Sequence, residues 1–131
     1  MYLVDTNVWL ERFMEQTRAD EVGQFLESIS SENLYITDFG FHSIGIIMSR
    51  LNRKSELLRF VQDTFLDGAV SLIHLDPGDT HELVRVMEQF NLDFDDAYHY
   101  VAARKYNLIL GRFDSDFDRT PFGKKEPRDF L

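Results

Sequence analysis

Short apolar runs of strand character alternate with segments of helical apolar spacing along nearly the whole chain, and few architectures accommodate that alternation. Tyr2 to Val4 is the first run. It ends in Asp5, and from Asn7 onward Val8, Trp9, Leu10 and Phe13 fall at helical spacing, so a strand runs directly into a helix. The helical pattern returns over residues 20–29, breaks at Ser30-Ser31-Glu32-Asn33, and is followed by a second strand-like run, Leu34 to Thr37. Two further helices are expected over 39–51 and 55–65, and a third strand over 70–75. Asp76-Pro77-Gly78-Asp79 is a turn able to cap a helix carrying Leu83, Val84, Met87 and Phe90. Asp93 is the natural cap of a last helix over 94–106, whose Ala97, Ala102 and Ala103 are small enough to lie close against a sheet. Leu108 to Leu110 reads as a final strand, and residues 114–118 and 121–123 as loop.

Strands joined by helices imply a parallel sheet covered on both faces, an α/β fold, because a parallel connection requires a crossover. In such sheets ligands collect beyond the carboxyl ends of the strands, where the strand order reverses. Asp5 ends the first strand and Asp114 lies just past the last, so position singles these acids out from the many others. With 131 residues, 44% of them hydrophobic, there is material for one core and too little length for two, and one domain over 1–131 is expected.

Composition excludes several chemistries. The absence of cysteine removes disulfides, thiolate metal sites and cysteine nucleophiles, leaving carboxylates and four histidines for metal work. A net charge of −9 argues against holding nucleic acid through a generally basic surface. The acidity reads either as solubility or, for a few acids at strand ends, as a carboxylate cluster whose charge a divalent cation reverses locally. No apolar run approaches the ~20 residues needed to span a bilayer, and no basic region followed by an apolar stretch opens the chain; a soluble, cytoplasmic protein is expected.

Three acidic groupings carry the chemistry. Asp5-Thr6-Asn7 places a carboxylate, a hydroxyl and an amide where a strand opens into a helix; capping accounts for one of the three and leaves two over. Of Asp93, Asp95 and Asp96, the helix dipole favours all, and Asp96, directly before Ala97, is the one expected to point across the top of the sheet. Asp114, Asp116 and Asp118 alternate along a loop, a spacing that lets oxygens converge on one hard cation. A calcium loop would need a Gly at its sharp turn and a Glu at its end, and the sequence has neither in place. A receiver-like phosphoryl acceptor would require a Lys near the last strand, where Arg112 stands instead, and would make Asp76 the acceptor. An Asp-x-Asp phosphatase fails because position 7 is Asn.

Leu3-Val4-Asp5-Thr6-Asn7, then Asp96-Ala97 with Ala102 and Ala103, then Phe113-Asp114-Ser115-Asp116-Phe117 together resemble the PIN-domain nucleases, and within them the small prokaryotic toxins of the VapC type. The resemblance implies a three-layer α/β/α sandwich with a central parallel sheet of four or five strands, Mg²⁺ or Mn²⁺ in an acidic pocket, and hydrolysis of phosphodiester bonds in single-stranded regions of RNA. It also implies an antitoxin partner and a homodimer. Carried over by position, Asp5, Asp96, Asp114 and Asp116 would be the catalytic metal ligands, with Thr6 and Asn7 orienting Asp5 or the attacking water.

The sequence departs from that pattern twice. The family usually places a Glu on the helix after the second strand; here His42 or Ser43 falls at its position, and a His42 turned inward would favour Mn²⁺. Arg112 stands where Ser or Thr is usual, and could neutralise an acid or clamp a substrate phosphate. The two departures leave open an alternative, a catalytically weak or silent PIN domain acting as an RNA- or protein-binding module. His74, His81 and His99 read as surface or packing residues. Arg50, Arg53, Lys54 and Arg59, and the tail with Lys124, Lys125 and Arg128, read either as solvated faces or as guides for RNA.

Overall fold

The structure, a computed structural model, describes residues 1–13 and 29–111. Four strands, β1 (Tyr2–Val4), β2 (Leu34–Thr37), β3 (Ser71–Ile73) and β4 (Ile109–Gly111), form one all-parallel sheet in the order β3-β2-β1-β4. The helices among the described residues are α1 (Thr6–Phe13), α2 (Asp38–Arg50), α3 (Lys54–Val61), α4 (Thr80–Phe90) and α5 (Phe94–Lys105). The strand expected over 70–75 is trimmed at both ends, and the last strand sits one residue later than its apolar run. The helix expected over 55–65 is regular as α3 and then widens into a π turn over Gln62–Leu66. The helix expected over 20–29 falls, but for its last residue, outside the described residues, as do Arg112, Asp114 and Asp116.

Strand alternation divides the core in two. Leu3 packs into one cluster with Leu83 and Val86 of α4 and Tyr100, Val101 and Ala102 of α5, while its neighbour Val4 packs into another with Val8 and Trp9 of α1, Ile44 and Met48 of α2, and Phe60 of α3. Leu34 and Ile36 share the face of Val4; Tyr35 between them packs on the other. Helices therefore cover both faces, which is why the strands read as continuous apolar runs rather than as alternating ones. Ala97, Ala102 and Ala103 are fully buried, so α5 lies close against the sheet as its small residues imply.

Three helices end by one device. Asn52, Asn91 and Asn107 adopt left-handed backbone, with φ of 59°, 53° and 56°. The next residue's N–H then bonds back across the helix end: Arg53 to the Met48 carbonyl at 2.8 Å, Leu92 to Met87 at 3.1 Å and Leu108 to Ala103 at 2.8 Å. The last of these turns the chain from α5 into β4. From β1 the chain steps outward through β2 to β3, then returns to place β4 on the opposite side of β1. The order reverses beside β1, and the Asp5 N–H donates to the Gly111 carbonyl at 3.0 Å across that point. Among the described residues, no helix is long and apolar enough to cross a membrane.

Candidate acidic site at the end of the first strand

Three helix beginnings converge at this reversal. The Asp5 carbonyl accepts from the Val8 N–H at 3.0 Å and so starts α1. Thr37 caps α2, its Oγ1 accepting from the Gly40 N–H at 2.8 Å. Asp93 caps α5, its Oδ1 accepting from the Asp96 N–H at 3.0 Å. Each beginning directs N–H dipoles toward the same end of the sheet, which favours negative charge there.

Between them lies a cleft of about 210 Å³. Asp5, Thr6 and Asn7 form its floor, Asp95, Asp96 and His99 one wall, and Phe39, Ser43 and Ile47 the other. Three carboxylates line it, and among the described residues no Lys or Arg does. The Asp5 side chain is only 11% exposed. A buried anion beside two others is costly unless a cation offsets it. The oxygen donors available, three carboxylates, two hydroxyls and an amide carbonyl, are hard ligands of the kind Mg²⁺ and Mn²⁺ take. The donor chemistry therefore fits a divalent cation, although among the described residues no three His, Asp or Glu side chains form a complete binding set.

His99 supplies the site's fixed point. Its Nδ1 lies 3.0 Å from the Asp95 carbonyl, which can only accept, so Nδ1 carries a proton. Its Nε2 lies 3.3 Å from Thr37 Oγ1 and 3.7 Å from Asp5 Oδ1. One hydroxyl thus joins the start of α2 to the imidazole that faces the first aspartate. Gly40 makes room for this junction: a Cβ there would stand 3.2 Å from both Thr37 Oγ1 and Thr6 Oγ1. Behind it, Tyr98 donates to Asp38 Oδ1 at 2.8 Å and accepts from the Leu75 N–H at 2.9 Å. Burial pushes the Tyr98 phenol up to about 12; the Leu75 N–H pulls against this and the Asp38 carboxylate adds to it.

Asp5, Thr6, Asn7 and Asp96 are brought together as the sequence placed them, with Asp95 beside them. His42 is not in the cleft. It lines a separate groove with Phe41, Gly45 and Ile46, and Ser43 takes the cleft position instead. Helical period accounts for this: Phe39, Ser43 and Ile47, four apart, form one stripe, and position 42 is turned about 100° away. The same reasoning would have found His99, one turn after Asp95 and Asp96 on a helix otherwise packed against the sheet. Arg112, Asp114 and Asp116 lie outside the described residues; Gly111, just before them, pairs with Val4 beside Asp5.

A PIN domain family model matches residues 2–123. Comparison with curated protein sequences returns no match. Among solved structures, the chain is similar to Mycobacterium tuberculosis VapC20, described as a sarcin-ricin loop cleaving toxin, with a TM-score of 0.80 and 16% identity over 97% of this chain and 100% of that one. It is similar to a toxin-antitoxin complex from Klebsiella pneumoniae, with a TM-score of 0.77 and 18% identity over 93% and 94%. FitAcB from Neisseria gonorrhoeae gives a TM-score of 0.77 and 18% identity over 97% and 98%. At these identities the likeness is one of fold.

Proposed function

The chain belongs to the PIN domain family, and from that premise we propose that it is a divalent-metal-dependent endoribonuclease, the toxin of a toxin–antitoxin pair, acting in the cleft at the end of β1. The observation that carries the reading is the buried Asp5 carboxylate, set among Asp95 and Asp96 with no Lys or Arg in the described lining. Asp5 and Asp96, with Asp114 and Asp116 from the family pattern, would hold Mg²⁺ or Mn²⁺. Once bound, the ion would lower the pKa of a water and offset charge on the phosphoryl oxygens. The chain's own residues do the rest. His99, itself held by Thr37 and the Asp95 carbonyl, stands against Asp5; Thr6 and Asn7 offer a hydroxyl and an amide to the attacking water or to a phosphoryl oxygen, and Phe39 and Ile47 supply an apolar wall. Hydrolysis by activated water needs no covalent intermediate. An antitoxin partner is supported by the Klebsiella relative, which is a toxin-antitoxin complex, and a homodimer is part of the same reading.

RNA cleavage by the purified protein with Mg²⁺, Mn²⁺ or chelator, beside Asp96→Asn, tests the reading. Cleavage that survives chelator or the substitution would sink it. A second reading, a silent PIN domain, draws on Ser43 standing where the family's Glu is usual; binding of RNA without cleavage in either metal would select it.

A further inference from the structure

We propose that Phe94, backed by the buried Tyr98 and by Phe39, is a stacking platform for an unpaired nucleobase of the substrate, an inference that rests on the nuclease reading of the adjoining cleft. Phe39 lines the cleft itself. Its ring centroid lies 5.6 Å from that of Tyr98, and Tyr98 lies 6.2 Å from Phe94. The middle ring is fixed, since its hydroxyl is bonded to both Asp38 and the Leu75 N–H. The outer ring is 46% exposed. Phe94 is the first residue of α5 and Asp95 and Asp96 follow it, so an exposed aromatic and two cleft carboxylates occupy one helical turn.

Charge explains why the substrate needs such a surface. A phosphodiester approaching this cleft meets three carboxylates, no Lys or Arg in the described lining, and a chain of net charge −9. Attraction of phosphate to basic side chains, the usual source of affinity for nucleic acid, is missing from the described part of the cleft. Stacking of a base on an aromatic face supplies affinity independent of charge and of base identity, about tenfold or more per base. The base must be unpaired, because in a duplex both of its faces are already covered. Held on Phe94, its nucleotide enters the cleft along Phe39.

The test uses single-stranded RNA carrying 2-aminopurine, whose fluorescence is quenched on stacking, first with chelator to measure binding alone and then with Mn²⁺ to measure cleavage. Phe94→Leu keeps an apolar side chain but no π face, Phe94→Tyr restores the face, and Leu58→Ala on exposed α3 is the control. Phe94→Leu should lose the quench and about tenfold in binding, with KM affected more than kcat; Phe94→Tyr should recover both, and a duplex should compete poorly. Unchanged binding and quench in Phe94→Leu overturn the proposal while leaving the nuclease reading intact, as does an effect confined to binding of a protein partner. Phe94-dependent quench without cleavage upholds the platform and defeats the nuclease reading alone. Absence of any RNA binding defeats both.

Discussion

Nε2 of His99 stands 3.7 Å from Oδ1 of Asp5, and both side chains are almost wholly withdrawn from solvent. With Nδ1 held by the Asp95 carbonyl and Nε2 beside Thr37, the ring has little freedom to turn, and it forms a fixed wall beside the carboxylate it faces. Partners of this kind typically contribute 10- to 100-fold in metal affinity or activity, and about that loss is expected for His99→Ala. His99→Gln, which can still reach toward Asp5, should recover part of it. Titration of Mn²⁺ affinity alongside kcat checks this; unchanged affinity in His99→Ala would remove the positioning role.

Asp5→Asn should separate function from stability. Without a divalent ion, neutralising a carboxylate buried beside Asp95 and Asp96 should leave the melting temperature equal or raised, because repulsion falls. Adding Mg²⁺ or Mn²⁺ should raise the wild-type melting temperature, by about 2.7 kcal/mol of stability at a hundred times Kd, and leave Asp5→Asn unmoved. Equal shifts in the two proteins, followed by calorimetry, would place the ion elsewhere.

Gly40→Ala should fail to stabilise α2. Replacing a helical Gly by Ala ordinarily gains about 1 kcal/mol, but the new methyl would press on Thr37 Oγ1 and Thr6 Oγ1, each 3.2 Å away. Thr37 cannot retreat without loosening its cap on Gly40 and its contact with His99. Urea denaturation should show no gain, and cleavage should fall; a full gain with normal activity would show that the junction tolerates the shift.

Tyr98→Phe should cost about 1–3 kcal/mol, because the buried Leu75 N–H loses its acceptor. It should also change the alkaline limb. The folded state holds the Tyr98 proton up to about 12 against 10.0 for the free side chain, so its stabilisation is complete below pH 10 and is lost as pH rises toward 12. The stability difference between wild type and Tyr98→Phe, measured from pH 9 to about 12, should therefore narrow; a constant difference would contradict the shift.

The sequence alone determined the layered plan and the floor of the site. Short continuous apolar runs at Tyr2–Val4 and Leu34–Thr37, set between period-3.6 segments, are buried on both faces in a parallel sheet, and such a sheet puts Asp5 at a strand end whatever the details of packing. Caps were legible for the same reason: Asp93 bonds the backbone three residues on, a local contact. Which side chains of other helices turn toward Asp5 is set by packing. Whether His42 or Ser43 enters the cleft depends on a rotation of about 100° that the packing of α2 on the sheet fixes. That His99 meets both Thr37, 62 residues away, and Asp5 depends on α5 crossing the sheet at the point where β1, β2 and β4 end together. Periodicity carries the direction of a side chain relative to its own helix, whereas the meeting of three helices is a property of the packed core.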